Sequence, residues 1–274
     1  MQLLLFWRFG FHFFSVIDRT QITPPEAGRQ DCQNLPGLFI RVYLGYPGDL
    51  CAIKNMNKYL HWNRKNISDF SELNISSLYD EGYVFTRRGK GVMDQTRSIR
   101  IDLEQFEMSS ENKRILRKTE EVKLKIESLP YSDYHWSIGK LAKDFYDEKF
   151  GNGTFSANKV RELLVTDESN FNRLFIYKGD TGDVIAYSIC YENESIIHYS
   201  YPFYALGLMP YVSMGMGMML RAICYAKDNG KKYIYLGSAQ RSTDTYKFQF
   251  KGLEWFSGSD WKDDFGELKE ILSK

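Results

Sequence analysis

Apolar and polar residues alternate along Arg97-Ser98-Ile99-Arg100-Ile101-Asp102-Leu103, a period of two that predicts a strand. The same period returns at Val122, Leu124 and Ile126. It recurs in three closely spaced runs, Arg173 to Tyr177, Val184 to Tyr191 and Ser195 to Tyr201, the last two joined by a short Glu-Asn-Glu turn. Lys232 to Leu236 and Leu253 to Phe256 read as two more strands. Helices are predicted between them. Ser109 or Ser110 caps one over Glu111 to Lys118, and Ser156 caps another through Leu164. His135 to Phe150 forms a helix ended by Gly151-Asn152-Gly153. Gly215-Met216-Gly217 opens one that runs to about Asp228 and stops at Asn229-Gly230. Thr243 to Phe250 is a short last helix.

Upstream the pattern is coarser. An ordered segment begins near Leu38 to Tyr43 and turns at Gly45-Tyr46-Pro47-Gly48. It continues through Tyr83-Val84-Phe85 and a Gly-punctuated loop from Arg87 to Gly91. Thr23-Pro24-Pro25-Glu26-Ala27-Gly28 reads as a linker. The run from Leu3 to Ile17 is apolar but interrupted by Arg8, Gly10, His12 and Ser15. It falls short of the roughly 20 apolar residues that span a bilayer, so it is read as a leader, with no membrane partner expected. The expected division is residues 1–36 as leader and linker, 37–125 as an N-terminal region, and 126–274 as a C-terminal domain.

Composition narrows the function classes. The 36 Lys and Arg nearly balance the 35 Asp and Glu, so a polyanionic partner has to be met by a local patch and not by the field of the whole protein. Aromatic residues reach 16%, which favours sheet-rich packing. Cys32, Cys51, Cys190 and Cys224 are scattered, with no CxxC, and His12, His61, His135 and His198 show no ligand spacing. No metal site is expected, and scattered thiols suit a reducing cytosol.

A strand pair, a Gly-x-Gly turn into a helix, a strand, a short helix bearing Tyr246 and a last strand follow the order of the GNAT acyltransferases. The stretch Tyr246-Lys247-Phe248-Gln249-Phe250-Lys251-Gly252-Leu253 resembles that superfamily's Tyr-containing helix. Within it the chain resembles the arginyl/leucyl-tRNA–protein transferases, the N-end-rule aminoacyl transferases. Phe106-Glu107-Met108-Ser109-Ser110-Glu111-Asn112-Lys113-Arg114 is similar to that family's Phe-x-x-Ser-x-x-x-Arg-Arg segment. Tyr233-Ile234-Tyr235-Leu236-Gly237 is similar to its Tyr-Tyr-Leu-Gly strand, and Tyr246-Lys247 to its Tyr-Lys pair. Tyr43 to Cys51 is faintly similar to its Cys-containing start. The resemblance covers roughly residues 38 to 260. One departure stands out: where the family clusters metal- or cluster-binding cysteines, this chain reads Gly89-Lys90-Gly91-Val92-Met93-Asp94-Gln95-Thr96.

The resemblance implies an α+β fold of GNAT type: a mixed, mostly antiparallel sheet flanked by helices, with a smaller N-terminal region packed on it. It also implies transfer of an aminoacyl group from charged tRNA to a protein or peptide N-terminal amine, in the cytoplasm. Aminoacyl-tRNA is then a co-substrate, and no cofactor is needed because the ester is already activated. Tyr246 is the expected catalytic acid for the leaving 3′ oxygen, since an unperturbed phenol is protonated at neutral pH. Ser213, Gly215 and Gly217 are expected to bring backbone N–H groups to a donor phosphate at a helix N-terminus. Lys247 is expected to contact an anion or solvent. Lys113, Arg114, Arg117 and Lys118 recur at helical spacing and form a basic stripe suited to tRNA phosphates, or else a solvated face balanced by Glu111, Glu120 and Glu121. His135 is read as a packed helix-start residue. Two alternatives remain. One is an acyl-CoA-dependent GNAT N-acyltransferase, disfavoured by Val212 where such enzymes usually carry Gln or Arg. The other is a non-catalytic tRNA- or degron-binding relative.

Overall fold

The protein divides into a unit of residues Met1–Asn55 and a unit of residues Met56–Lys274. A computed structural model describes residues 59–207 and 213–274 of the second. The expected leader, the linker, the Leu38–Tyr43 segment, Cys32 and Cys51 lie outside the described residues.

Along the chain come β1 (Asn63–Asn66), α1 (Glu72–Asp80), β2 (Tyr83–Phe85), β3 (Val92–Gln95), β4 (Ser98–Asp102), α2 (Ser110–Lys118), β5 (Lys123–Ser128), α3 (Trp136–Phe150) and α4 (Ala157–Val165). They are followed by β6 (Arg173–Lys178), β7 (Val184–Glu192), β8 (Ile196–Tyr204), α5 (Met214–Asp228), β9 (Tyr233–Ser238), a 3-10 helix (Ser242–Gln249), β10 (Leu253–Phe256), β11 (Trp261–Lys262) and α6 (Phe265–Ser273). Eight strands form one sheet in the order β11-β10-β4-β9-β8-β7-β6-β5. Its pairs are antiparallel except β8 with β9, which run parallel with α5 as the crossover between them. β4, from before residue 126, lies between β9 and β10 from beyond it. A smaller sheet, β1-β3-β2, comes from the N-terminal part of this unit. This is the expected α+β architecture, a mostly antiparallel mixed sheet flanked by helices.

Strand alternation sorts side chains to two faces. Phe175 and Tyr177 of β6 join Ile99, Ile101, Met218, Ile223 and Trp255 in one core, beneath α2, α5 and α6. Leu174 and Ile176 join Tyr79, Met93, Phe155, Ile189 and Tyr235 in the other, with α1, α3, α4 and the small sheet. The helix caps read from sequence are in place. Ser109 accepts from the Asn112 N–H at 3.1 Å while Asn112 reaches back to the Ser109 N–H at 3.2 Å, and Ser156 accepts from the Lys159 N–H at 3.2 Å. His135 is a cap too: exposed, it accepts from the Ser137 N–H, and it is not packed as expected.

The stretch that departs from the family's cysteine cluster is built as sheet. Asp94 is buried and paired with Arg64 at 2.6 Å. Gly91 sits at φ +79°, where a Cβ would fall 2.3 Å from the Ile67 carbonyl oxygen, so the turn into β3 requires glycine.

His198 of β8 is buried in the second core, its Nδ1 2.8 Å from the Tyr79 hydroxyl. Burial depresses its pKa to about 3. The unfolded chain, titrating near 6.5, therefore binds a proton that the folded chain refuses. Stability contributed by the neutral imidazole is complete above about pH 6.5 and is lost as pH falls toward 3, at up to about 1.4 kcal/mol per pH unit. Urea unfolding between pH 7 and 5 is expected to show this loss, and His198→Gln is expected to flatten it. Equal slopes in the two proteins would mean that His198 stays solvated.

Candidate active site

β8 and β9 pair over only three residues, Ile196 with Tyr233, Ile197 with Ile234 and His198 with Tyr235. Beyond that point β8 continues to Tyr204 and β9 to Ser238 without pairing, so the sheet splays open. Gly237, at φ +77°, lies in the departing part of β9. At this opening Tyr59 and Lys247, the latter from the 3-10 helix, both reach Ser238 of β9, and Gly215 in the first turn of α5 lies beside Tyr204 of β8.

Tyr246 lies on the 3-10 helix. The residue is 47% exposed, yet desolvation of its phenol, with smaller contributions from Asp244 and Tyr204, pushes its pKa up to about 12. It is therefore fully protonated at any physiological pH, as a proton donor has to be. Lys247 behaves otherwise than expected. It is buried and turns away from solvent, its Nζ donating to the Ser238 carbonyl at 3.1 Å. Burial lowers its pKa.

The start of α5 is unusual. Ser213 adopts φ +81°, the sole non-glycine residue with positive φ among those described, and its side chain caps nothing. The N–H groups of Met214, Gly215 and Met216 precede the first intrahelical bond and have no helical partner. A Cβ on Gly215 would be in ordinary contact with Tyr204, its nearest atom the hydroxyl oxygen at 3.5 Å. Gln249, three residues past Tyr246, reaches the Met216 sulfur at 4.0 Å. The structure thus brings Ser213, Gly215, Tyr204 and the Tyr246-bearing helix to one end of the splay. Tyr204 and Tyr199 were not singled out from sequence. Tyr199 is 2% exposed, its hydroxyl beside that of Tyr177, which donates to the Met218 carbonyl at 3.1 Å.

Gly217 corrects an expectation. Its N–H is already given to the Ser213 carbonyl at 2.9 Å, so it is not free for a phosphate. Its α-carbon faces away from the turn, and a Cβ there would lie 2.7 Å from Thr119 Oγ1 and 3.2 Å from Thr119 Cβ. The glycine exists so that α5 can press against the end of α2. Arg221 locks that junction: it donates to Thr119 Oγ1 at 2.8 Å, to the Thr119 carbonyl, and to the Val122 carbonyl at 2.7 Å. A guanidinium on the last carbonyls of a helix also suits the helix dipole.

On α2, Ile115 and Asn112 face inward while Lys113, Arg114, Arg117 and Lys118 are exposed. Arg114 is held by Glu111, its Nε 2.6 Å from the carboxylate. Lys113, Arg117 and Lys118 make no ion pair among the described residues. Because Thr119 follows Lys118 directly, the Gly217 contact sets the C-terminal end of the stripe beside the first turns of α5.

No family model matches this chain. It is 31% identical over 126 residues to an aspartate/glutamate leucyltransferase of Ruegeria sp. (strain TM1040), a match covering 44% of this chain and 46% of that one. The chain thus matches about half the length of this curated relative. Among solved structures, L-PGS from Bacillus licheniformis aligns with a TM-score of 0.41 at 14% identity, over 74% of this chain and 71% of that one. FemX aligns with a TM-score of 0.38 at 11% identity, over 61% and 59%.

Proposed function

We propose that this protein is an aminoacyl-tRNA–protein transferase of the N-end-rule type, which moves an amino acid from the 3′ ester of a charged tRNA to the N-terminal amine of an acceptor beginning with Asp or Glu. One observation supports the tRNA half of this reading: the contact of Gly217 with Thr119, which brings the end of α2, with its exposed Arg117 and Lys118, beside the first turns of α5. An acyl-CoA donor needs only a pyrophosphate cradle. A longer polyanion also uses the stripe beyond it. The partial sequence match to a protein named aspartate/glutamate leucyltransferase supports the acidic acceptor.

The chemistry follows from the geometry. The neutral acceptor amine attacks the ester carbonyl, forming the C–N bond and losing a proton to solvent. N–H groups at the start of α5 suit the phosphate of the terminal nucleotide. As the tetrahedral intermediate collapses, the C–O bond to the ribose breaks and Tyr246 gives its proton to the departing 3′ oxygen. Most of the rate then comes from positioning two bound substrates, which holding them in one site supplies without a cofactor.

The decisive assay incubates the protein with mixed charged tRNAs and peptides of varied N-terminal residue, with acetyl-CoA in parallel, and identifies adducts by mass spectrometry. An aminoacylated acidic peptide supports the reading, and an acetylated product would replace it with the acyl-CoA alternative. Arg117→Glu with Lys118→Glu is expected to weaken tRNA binding and to lower the log–log salt slope by roughly 0.7 to 0.9 per lost phosphate contact. An unchanged slope would return the stripe to a solvated face.

A further inference from the structure

Among the described residues, the partly buried arginines are engaged, with one exception. Arg100 spreads over Glu254 at 2.7 Å and Asp80 at 2.8 Å. Arg173 pairs with Glu192 at 2.9 Å, Arg221 is spent on the α2 terminus, and Arg87 lies flat on the Phe155 ring at 4.2 Å. Arg97, just before β4, has no carboxylate within 4 Å among the described residues. Of its five N–H donors, one makes a single long bond, 3.4 Å to the Ala239 carbonyl, and its Nε is buried with no partner among the described residues. A half-buried guanidinium without a counter-ion is costly to keep, and burial with nothing opposing it lowers the Arg97 pKa.

The Ala239 N–H donates to the Arg97 carbonyl at 2.9 Å, and Ser98 lies opposite Ser238, so Arg97 borders the end of β9 at the splay. On the adjacent residue, Ser238, the carbonyl takes the Lys247 ammonium and the hydroxyl takes the Tyr59 phenol. The backbone carbonyls of two successive residues therefore each hold a cation, and neither cation has an ion-pair partner among the described residues. The terminal nitrogens of Arg97 keep spare donors side by side, which suit a carboxylate held by two parallel bonds. In the function proposed above, α5 and the stripe take the donor's phosphates, which leaves Arg97 for another anion.

We infer that Arg97 reads the acidic side chain of the acceptor's N-terminal residue, a carboxylate-binding role resting on the function proposed above. The carboxylate takes up the unused guanidinium donors, and the acceptor amine is thereby aimed along the opening toward Tyr246. A site built to bind one charged group rejects the uncharged isostere strongly, because the guanidinium is then left unpaired.

Transfer kinetics with peptides beginning Asp, Glu, Asn, Gln and Ala test this in wild-type protein and in Arg97→Met and Arg97→Lys. Wild type is expected to favour Asp and Glu over their amides by on the order of 10²-fold in kcat/KM. Arg97→Met is expected to lower kcat/KM on Asp and Glu peptides to the level of their amides, while Arg97→Lys restores part of the preference. Arg97→Gln gives the neutral comparison if the Met variant fails to melt cooperatively. A folded Arg97→Met that still prefers acidic peptides overturns the role of Arg97 and leaves the transferase reading standing. Wild-type transfer without acidic preference overturns the acceptor assignment and Arg97 with it. No transfer from any charged tRNA overturns the proposed function itself.

Discussion

Gly217→Val is expected to unfold α5 from α2 before it affects any ligand. The Cβ alone would overlap Thr119 Oγ1 at 2.7 Å, and the two γ-methyls extend further into a junction already filled by Arg221. Overpacking of this kind costs about 1–3 kcal/mol, and displacing Thr119 also loosens the Arg221 bonds, at about 1 kcal/mol or more each. The combined loss, roughly 2–4 kcal/mol, corresponds to a Tm lowered by about 5–15 °C in a unit of this size. Relief should be local. Thr119→Ala removes the atoms in the way, so Gly217→Ala/Thr119→Ala is expected to be more stable than the two single losses combined, a coupling that a double-mutant cycle measures directly. A Gly217→Val protein with wild-type stability and a raised donor KM would instead return Gly217 to the phosphate-facing role expected from sequence.

Tyr246→Phe tests the chemistry. The ring stays and its packing against the 3-10 helix is kept, while the proton is removed. If the phenol protonates the departing 3′ oxygen, kcat for aminoacyl transfer falls by on the order of 10²-fold with donor KM nearly unchanged. The pH profile adds an independent reading. With its pKa held up at about 12 by desolvation, the phenol remains in its acid form, so wild-type kcat is expected to show no loss on the alkaline side up to about pH 11. A fall with an apparent pKa near 10 would mean an ordinary solvated phenol. Normal turnover by Tyr246→Phe would make the tyrosine structural and leave catalysis to positioning alone.

Much of the sheet was legible because its signals are local. The alternation of Arg97 to Leu103, the Ser109 and Ser156 caps and the Asn229-Gly230 stop each lie within a few residues, and each corresponds to an observed element. The local pattern does not predict β1, α1, β3, β11 or α6, and β11 follows the strand expected to be the last. Two of these carried capping signals that could have been read: Ser71 accepts from the Asn74 N–H, and Asp264 accepts from the Gly266 and Glu267 N–H groups. β1 and β3 carried none, since four-residue polar strands show no clear period and exist only through pairing with each other and with β2.

The sequence by itself determined most of the helices and strands from β4 onward and the residue types able to donate a proton or meet phosphate, because propensity, capping and periodicity act between near neighbours. It could not say which face each of those residues would present. Whether Lys247 points to solvent or to the Ser238 carbonyl, whether Gly217 serves a ligand or Thr119, and whether Arg97 finds a carboxylate are questions about atoms 98 to 142 positions apart in the chain or across a turn whose direction the sheet imposes. Tertiary structure decided them, through steric fit at α2 and α5 and through burial that leaves a charge paired in one place and unpaired in another.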